Sequence, residues 1–148
     1  MKKIILGLLL LVPSILMASD LEGYIALIGQ DRIPSDFRKI APDVYSNRDG
    51  SILLQTKGVS YKVVYKVIFT VSFKTEVEAN KAASMYIKVL EGTGWEFQKR
   101  QKPFLLYYKS LPHRYGCTTA AVADVRINKG LYTTDVIIYC PAIMENWK

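Results

Sequence analysis

The chain has 148 residues, 50 % of them hydrophobic, and its 20 Lys and Arg against 13 Asp and Glu give a net charge of +7. This length suits one domain with a substantial core and leaves too little chain for two domains of ordinary size. The charge suits an acidic partner, although a modest net charge is also what keeps a small domain soluble.

The first 18 residues have the pattern of a secretory signal peptide. Two lysines precede an apolar run from Ile4 to Met17, and Ala18 is a small residue at which a peptidase would cut. A proline interrupts this run, which falls short of the ~20 residues that a membrane-spanning helix needs. Removing 18 of the 148 residues leaves 130, with 18 basic and 13 acidic side chains. We therefore expect residues 19–148 to form a single exported domain, periplasmic or secreted, without a transmembrane segment.

The segment between the leader and the helix is predicted to be loop and strand. Residues 20–30 are mildly apolar and fit either a helical turn or an edge strand, and a packed loop with two prolines runs from Ile33 to Asp43. A short strand at 51–56 precedes a long strand, Tyr61 to Phe73, that alternates with period 2. Its odd-numbered residues should face the helix, and its even-numbered residues should form an open, largely polar face.

One long helix with its exit turn is predicted between Thr75 and Trp95. Thr75 and Glu78 form a capping box, in which the threonine hydroxyl accepts a hydrogen bond from a free backbone N–H of the first turn. Gly92 and Gly94 end the helix, because glycine adopts a positive φ without steric cost.

The predicted helix has one buried face. Its small and apolar side chains recur at the i, i+3, i+4, i+7 spacing that places them on one stripe. We expect this stripe to cover three side chains of the long strand, because only that pairing hides both apolar surfaces at once. The stripe comprises Ala79, Ala82, Ala83, Tyr86, Ile87 and Leu90, of which Ala79, Ala83, Tyr86 and Leu90 should bury Tyr65, Val67 and Phe69 of the strand.

More strands are predicted after the helix. Trp95–Arg100 alternates, a turn at Gln101–Pro103 leads to the strand Phe104–Lys109, and an irregular loop covers Ser110–Gly116. A hairpin then turns at Ile127–Gly130. We therefore predict an α+β fold, an antiparallel sheet of about six or seven strands with one long helix packed on one face.

The two cysteines predict a disulfide bond between Cys117 and Cys140. Paired cysteines are typical of exported chains. If Ile127 faces Gly130 across the turn, the numbers of paired residues add to 257, as do those of the two cysteines. A bridge closing a loop of this size would contribute roughly 3 kcal/mol by the chain-entropy estimate.

The helix exit also carries a resemblance. The spacing Tyr86-x3-Leu90-x3-Gly94-Trp95, with an alternating strand before it and a proline-bearing segment further upstream, resembles a loose class of small exported bacterial α+β domains. The likeness covers roughly Ile33 to Tyr139. Members of that class mostly have no assigned activity, so the resemblance implies the fold and transfers no catalytic residue.

No catalytic or cofactor motif stands out in the sequence. His113 is the only histidine, and although Cys117 follows four residues later, a zinc site needs three or four protein ligands. There is no nucleophile elbow, phosphate-binding glycine loop or H-E-x-x-H motif. We therefore predict no cofactor and no metal site. A hydrolase would instead need two of the 13 acids within about 10 Å of each other in a cleft.

A basic and aromatic set forms the candidate binding surface. Long cationic side chains beside tyrosines hold an anionic partner and stack on it, although the same residues would also suit an ordinary solvated sheet face. We expect the members that lie on strands to share the open face. The candidate residues are Lys62, Lys66, Arg100, Tyr107, Lys109, His113, Arg114 and Tyr115, and they belong to a wider basic and aromatic set that also includes Lys99, Lys102 and Tyr108.

These patterns favour a non-enzymatic binding or accessory protein of the cell envelope. Its expected partner is an envelope protein or an anionic surface rather than nucleic acid, because the exported compartment holds little nucleic acid. Two alternatives stay open, an immunity-type inhibitor of an acidic toxin and a small envelope hydrolase that uses a carboxylate pair.

Overall fold

The computed structural model of the protein describes residues 21–58, 62–110 and 117–146, with Cys117 and residues 144–146 described for their backbone only. The predicted signal peptide therefore lies outside the described residues, as does the loop segment His113–Tyr115.

The described chain folds as α+β, as predicted, with one long helix and an antiparallel sheet. The sheet has nine strands rather than six or seven. The extra ones are strands of three or four residues in turn-rich segments, too short to show a period. In chain order the elements are β1 Arg38–Ala41, β2 Val44–Ser46, β3 Ile52–Lys57, β4 Val63–Phe73, α1 Glu76–Gly92, β5 Glu96–Gln101, β6 Phe104–Ser110, β7 Cys117–Ala123, β8 Arg126–Asn128, β9 Leu131–Tyr139 and α2 Pro141–Asn146.

The last strand lies in the middle of the sheet. The strand order is β1-β2-β3-β4-β9-β7-β6-β5, and β8 also pairs with β9. Helix α1 follows β4 in the chain and lies on one face of the sheet, where it contacts β9, β7 and β5. The chain thereby passes from β4, in the middle of the sheet, to β5 at its edge. We call this the helix face and the opposite side the open face.

Both ends of α1 lie where the sequence predicts them, with two differences in detail. The Thr75 hydroxyl accepts the Glu78 N–H at 3.3 Å as expected, but it also donates to the Glu78 carboxylate at 3.1 Å, in place of a bond from the Thr75 N–H to that carboxylate. Gly94 adopts a φ of +90° just past the helix, whereas Gly92 is still helical. The Trp95 N–H donates to the Leu90 carbonyl at 3.0 Å, the long bond of a Schellman motif. This turn directs Trp95, which is buried, towards the core.

The segment after the leader is part of the core. Residues 21–25 form a helical turn, and the side chains of Leu21, Ile25 and Ile28 are buried. The Gly29 N–H donates to the Val64 carbonyl at 2.8 Å, so backbone hydrogen bonding attaches this segment to the start of β4.

A β-bulge in β4 changes the predicted packing of Tyr65. Residues Gln55 and Thr56 pair with Lys66 and Val64, which leaves Tyr65 as the extra residue. Its side chain is only partly buried, and its hydroxyl donates to the Gln55 side chain at 3.0 Å. The expectation that α1 covers Tyr65 is therefore wrong, whereas Val67 and Phe69 are buried as expected.

The hairpin register also differs from the prediction. Ile127 pairs with Tyr132 rather than Gly130, and Lys129 and Gly130 occupy the turn with φ values of +51° and +79°. In β7 the pairs Thr119 with Tyr139 and Ala120 with Ile138 add to 258, not 257. Cys140 is buried, but the register argument for its bond to Cys117 fails by one residue. That disulfide stays a prediction, since the Cys117 side chain lies outside the described residues.

Candidate functional site

The open face is left bare by the helices that the structure describes. Leu90 of α1, Ile143 of α2 and Leu21 of the N-terminal turn belong to one buried cluster on the helix face. Even so, the open face carries an apolar row. This row consists of one residue from each of four neighbouring strands, joined by cross-strand pairing. The residues are Ile68 of β4, Ile137 of β9, Ala121 of β7 and Leu106 of β6.

A pocket of about 350 Å³ lies on this row, and we call it the open-face pocket. Its floor is apolar, with Ala121 at the centre only 4 % exposed between two larger side chains. Its polar groups come from the ends of neighbouring strands. The lining is Phe104, Leu106, Ala121 and Ile137 for the floor and Lys66, Gln101, Lys102 and Tyr139 for the polar part.

The electrostatics of the open-face pocket favour an anion. Among the residues that the structure describes, its lining contains two lysines and no carboxylate. Asp135, an acid of the same sheet face, is already engaged, because Arg126 Nη1 forms an ion pair with it and the Thr70 hydroxyl donates to it at 2.8 Å.

The bulge in β4 supports one of these lysines. The extra residue, Tyr65, directs its ring towards the open face, where its hydroxyl bonds Gln55 and the Lys66 ammonium lies 5.8 Å from the ring centroid. Such a contact restrains a long cationic side chain, and bulges commonly re-aim a side chain beside a binding site. Partial burial raises the pKa of the Tyr65 hydroxyl.

Only Lys66 of the described candidate residues lies in this pocket. Lys62 precedes β4 and binds Asp43 instead, an ion pair that raises the pKa of Lys62 and lowers that of Asp43. The three others on strands lie on the helix face, so the expectation that they share the open face is wrong. They are Arg100, Tyr107 and Lys109.

Each of these three has a structural partner. A register shift after Phe97 sets Arg100 opposite Leu105, and its guanidinium pairs with Asp124 at 3.1 Å. Tyr107 is 2 % exposed and its ring contacts Phe97, and burial raises the pKa of its hydroxyl.

Lys109 serves the end of the long helix. Its ammonium donates to the carbonyl of Thr93, the C-cap residue of α1. The last turn of α1 has no basic residue of its own, and the carbonyls at a helix C-terminus carry partial negative charge. Lys109 of β6 therefore provides the positive charge at the C-terminus of α1.

Most of the pocket was missed by the sequence reasoning. Lys102 belongs to the wider basic and aromatic set but not to the candidate binding surface, and none of the floor residues is assigned to a site from the sequence. One signal was available, because β6 and the end of β9 read as continuous apolar runs, which is typical of strands with apolar side chains on both faces. Those runs are F-L-L-Y-Y and V-I-I-Y.

The structure offers little support for catalytic chemistry among the described residues. No cluster of three or more His, Cys, Asp or Glu side chains that could hold a metal ion occurs in that part of the chain. Neither the open-face pocket nor a smaller cavity beside Tyr86 has a carboxylate in its lining. Within the same ranges no helix has the length and hydropathy needed to cross a bilayer.

Comparison of the chain with protein-family models, curated proteins and solved structures found no match in any of the three.

Proposed function

We propose that the protein is a non-enzymatic binding or accessory protein of the cell envelope, and that it acts through its open face. The observation that carries this proposal is the open-face pocket, whose described lining combines an apolar floor with two lysines and no acid. Such a lining binds a partner through apolar contact and charge, and it offers no pair of acids for hydrolysis.

The overall charge agrees with this role. Residues 19–148, the proposed exported domain, carry 18 basic and 13 acidic side chains, and this excess raises the rate at which the domain meets an acidic partner. Export to the envelope, proposed from the N-terminal pattern, would bring the open face into a compartment rich in anionic surfaces.

Affinity capture from an envelope fraction tests the proposal. The protein is immobilised at low salt, and bound proteins and lipids are identified by mass spectrometry. The double variant Lys66→Glu/Lys102→Glu should retain about tenfold less of any specific partner, because two favourable charges become repulsive. The matched control Lys81→Glu/Lys88→Glu makes the same charge change at exposed positions of α1 and should behave as wild type.

Two results would contradict the proposal. One is that nothing is captured reproducibly at low salt. The other is that the open-face variant retains the same partner in the same amount as wild type, which would show that the working surface lies elsewhere.

A further inference from the structure

We propose that the open-face pocket binds a single-chain anionic amphiphile, a fatty-acid-like carboxylate whose chain lies on the apolar floor and whose head group meets the lysines. This inference rests on the proposed function, since it assumes that the open face is the binding surface, and it names the chemical class of the ligand.

The shape of the floor argues for a chain. Ile137, Ala121 and Leu106 are successive cross-strand partners on β9, β7 and β6, so their side chains form a continuous apolar track. The small central residue, Ala121, lowers the middle of this track between two larger side chains, and Phe104 extends it. An elongated apolar group fits such a trough better than a compact polar one.

The size of the pocket limits the ligand to one chain. A volume of about 350 Å³ is near the lower end of the range for ligand pockets. At ~30 Å³ for each water-sized group it holds on the order of a dozen non-hydrogen atoms. A carboxylate with a chain of about 10 to 12 carbons therefore matches the pocket, whereas a second acyl chain would extend beyond it.

The polar part of the lining argues for an anionic head group. Lys66 comes from β4 and Lys102 from the turn between β5 and β6, and Gln101 and Tyr139 add two uncharged polar groups. Tyr65 restrains Lys66 through its ring. An ammonium group paired with a carboxylate forms a charge-assisted hydrogen bond, which is stronger than a neutral one.

Titration calorimetry of the full purified protein with a matched series of ligands tests this inference. The probes are dodecanoate, decanoate and octanoate, which differ in chain length, together with dodecylammonium and acetate, all below their micelle-forming concentrations. We expect dodecanoate to bind best and each methylene removed to weaken binding by about three- to fourfold. Dodecylammonium should bind at least about tenfold more weakly, and acetate should show no binding.

Two variants separate the chain from the head group. Ala121→Leu fills the trough and should abolish dodecanoate binding, while Lys66→Gln/Lys102→Gln should weaken it about tenfold and make it less sensitive to salt. The double variant changes only lysine side chains at the rim, so it gives a test even if Ala121→Leu fails to fold. Lys81→Gln/Lys88→Gln is the control for net charge.

Affinity that does not depend on chain length, or equal affinity for dodecylammonium and dodecanoate, would overturn the inference. So would dodecanoate binding that both pocket variants leave unchanged. Failure of the ligand series while envelope capture still depends on Lys66 and Lys102 would refute the ligand class alone. Failure of both experiments would refute the proposed function as well.

Discussion

The role of a single side chain in this protein depends on the face of the sheet on which it lies. Lys109 and Lys66 are both basic residues of strands, yet Lys109 caps the end of α1 through Thr93 and Lys66 lines the open-face pocket. Their neighbours in sequence do not distinguish them. The difference comes from the face on which each side chain lies, which the strand pairing decides.

Tyr86 permits a prediction at the same scale. It is the tyrosine of the buried stripe of α1, and burial raises its pKa to about 12 from a usual value of 10. Because the folded state favours the neutral phenol, this contribution to stability is fully present below pH 10 and is lost as the pH rises towards about 12. The loss corresponds to about 2 to 3 kcal/mol.

Chemical denaturation of wild type and Tyr86→Phe at pH 8 and at alkaline pH would measure this effect. The two proteins should be of similar stability at pH 8, and the variant should lose less stability at high pH, because phenylalanine does not ionise. Equal losses in the two proteins would show that another group causes the alkaline destabilisation.

At the scale of elements, the exit of α1 links the helix to the sheet. Gly92 is the last helical residue, Thr93 caps it, and Gly94 has a φ of +90°. Thr93 uses its hydroxyl to donate to the Val89 carbonyl at 2.7 Å and its own carbonyl to accept from Lys109. The turn therefore satisfies two of the carbonyls that a helix end leaves free, those of Val89 and Leu90.

The two glycines give a matched pair of substitutions with opposite outcomes. Gly94→Ala should destabilise the fold by about 1 to 2 kcal/mol, because an alanine pays a steric cost at positive φ. A Cβ at Gly94 would meet only the Lys109 side chain at 3.7 Å, so the cost comes from the backbone.

Gly92→Ala should instead stabilise the fold by about 0.5 to 1 kcal/mol, since the position is helical and a Cβ there has no neighbour within 4 Å. Urea denaturation of both variants measures the difference. If the two substitutions shifted stability in the same direction, the helix would not end at this turn.

At the scale of the whole molecule, segments from both ends of the described chain complete the hydrophobic core. Strand β9, near the C-terminus, lies between β4 and β7. Near the other end, Tyr24 makes edge contacts with Phe37 and Phe69, with ring centroids 5.9 and 5.5 Å apart. The core therefore closes only when segments far apart in sequence have met, which is a feature of folds rich in non-local contacts.

A shortened chain tests the contribution of the N-terminal segment. A protein that begins at Asp31 lacks Leu21, Ile25 and Ile28, all of them buried. Each lost apolar side chain of this size costs about 2 to 5 kcal/mol, which together match or exceed the stability of a typical domain. We expect loss of the cooperative unfolding transition in circular dichroism, whereas a chain that begins at Ser19 should retain it. A shortened chain that unfolded at the same midpoint would show that this segment is dispensable.

Local patterns in the sequence were sufficient to predict several features of the fold. The capping residue Thr75, the apolar stripe of α1, the exit through Gly94 and the alternation in β4 all depend on residues within a few positions of one another, and the α+β class follows from them. These signals are local because helix caps and the periods of side-chain direction are properties of a short stretch of backbone.

The tertiary structure alone decided which side chains share a face. In a strand a shift of one residue moves every later side chain to the opposite face, and such shifts occur beside Tyr65 and between Phe97 and Lys99. They place Tyr65 on the open face and Arg100 on the helix face, the reverse of what simple alternation predicts. The open-face pocket draws its lining from β4, β9, β7 and β6 and from the end of β5. Its existence depends on registers between strands that are distant in sequence, and a period within one strand carries no information about them.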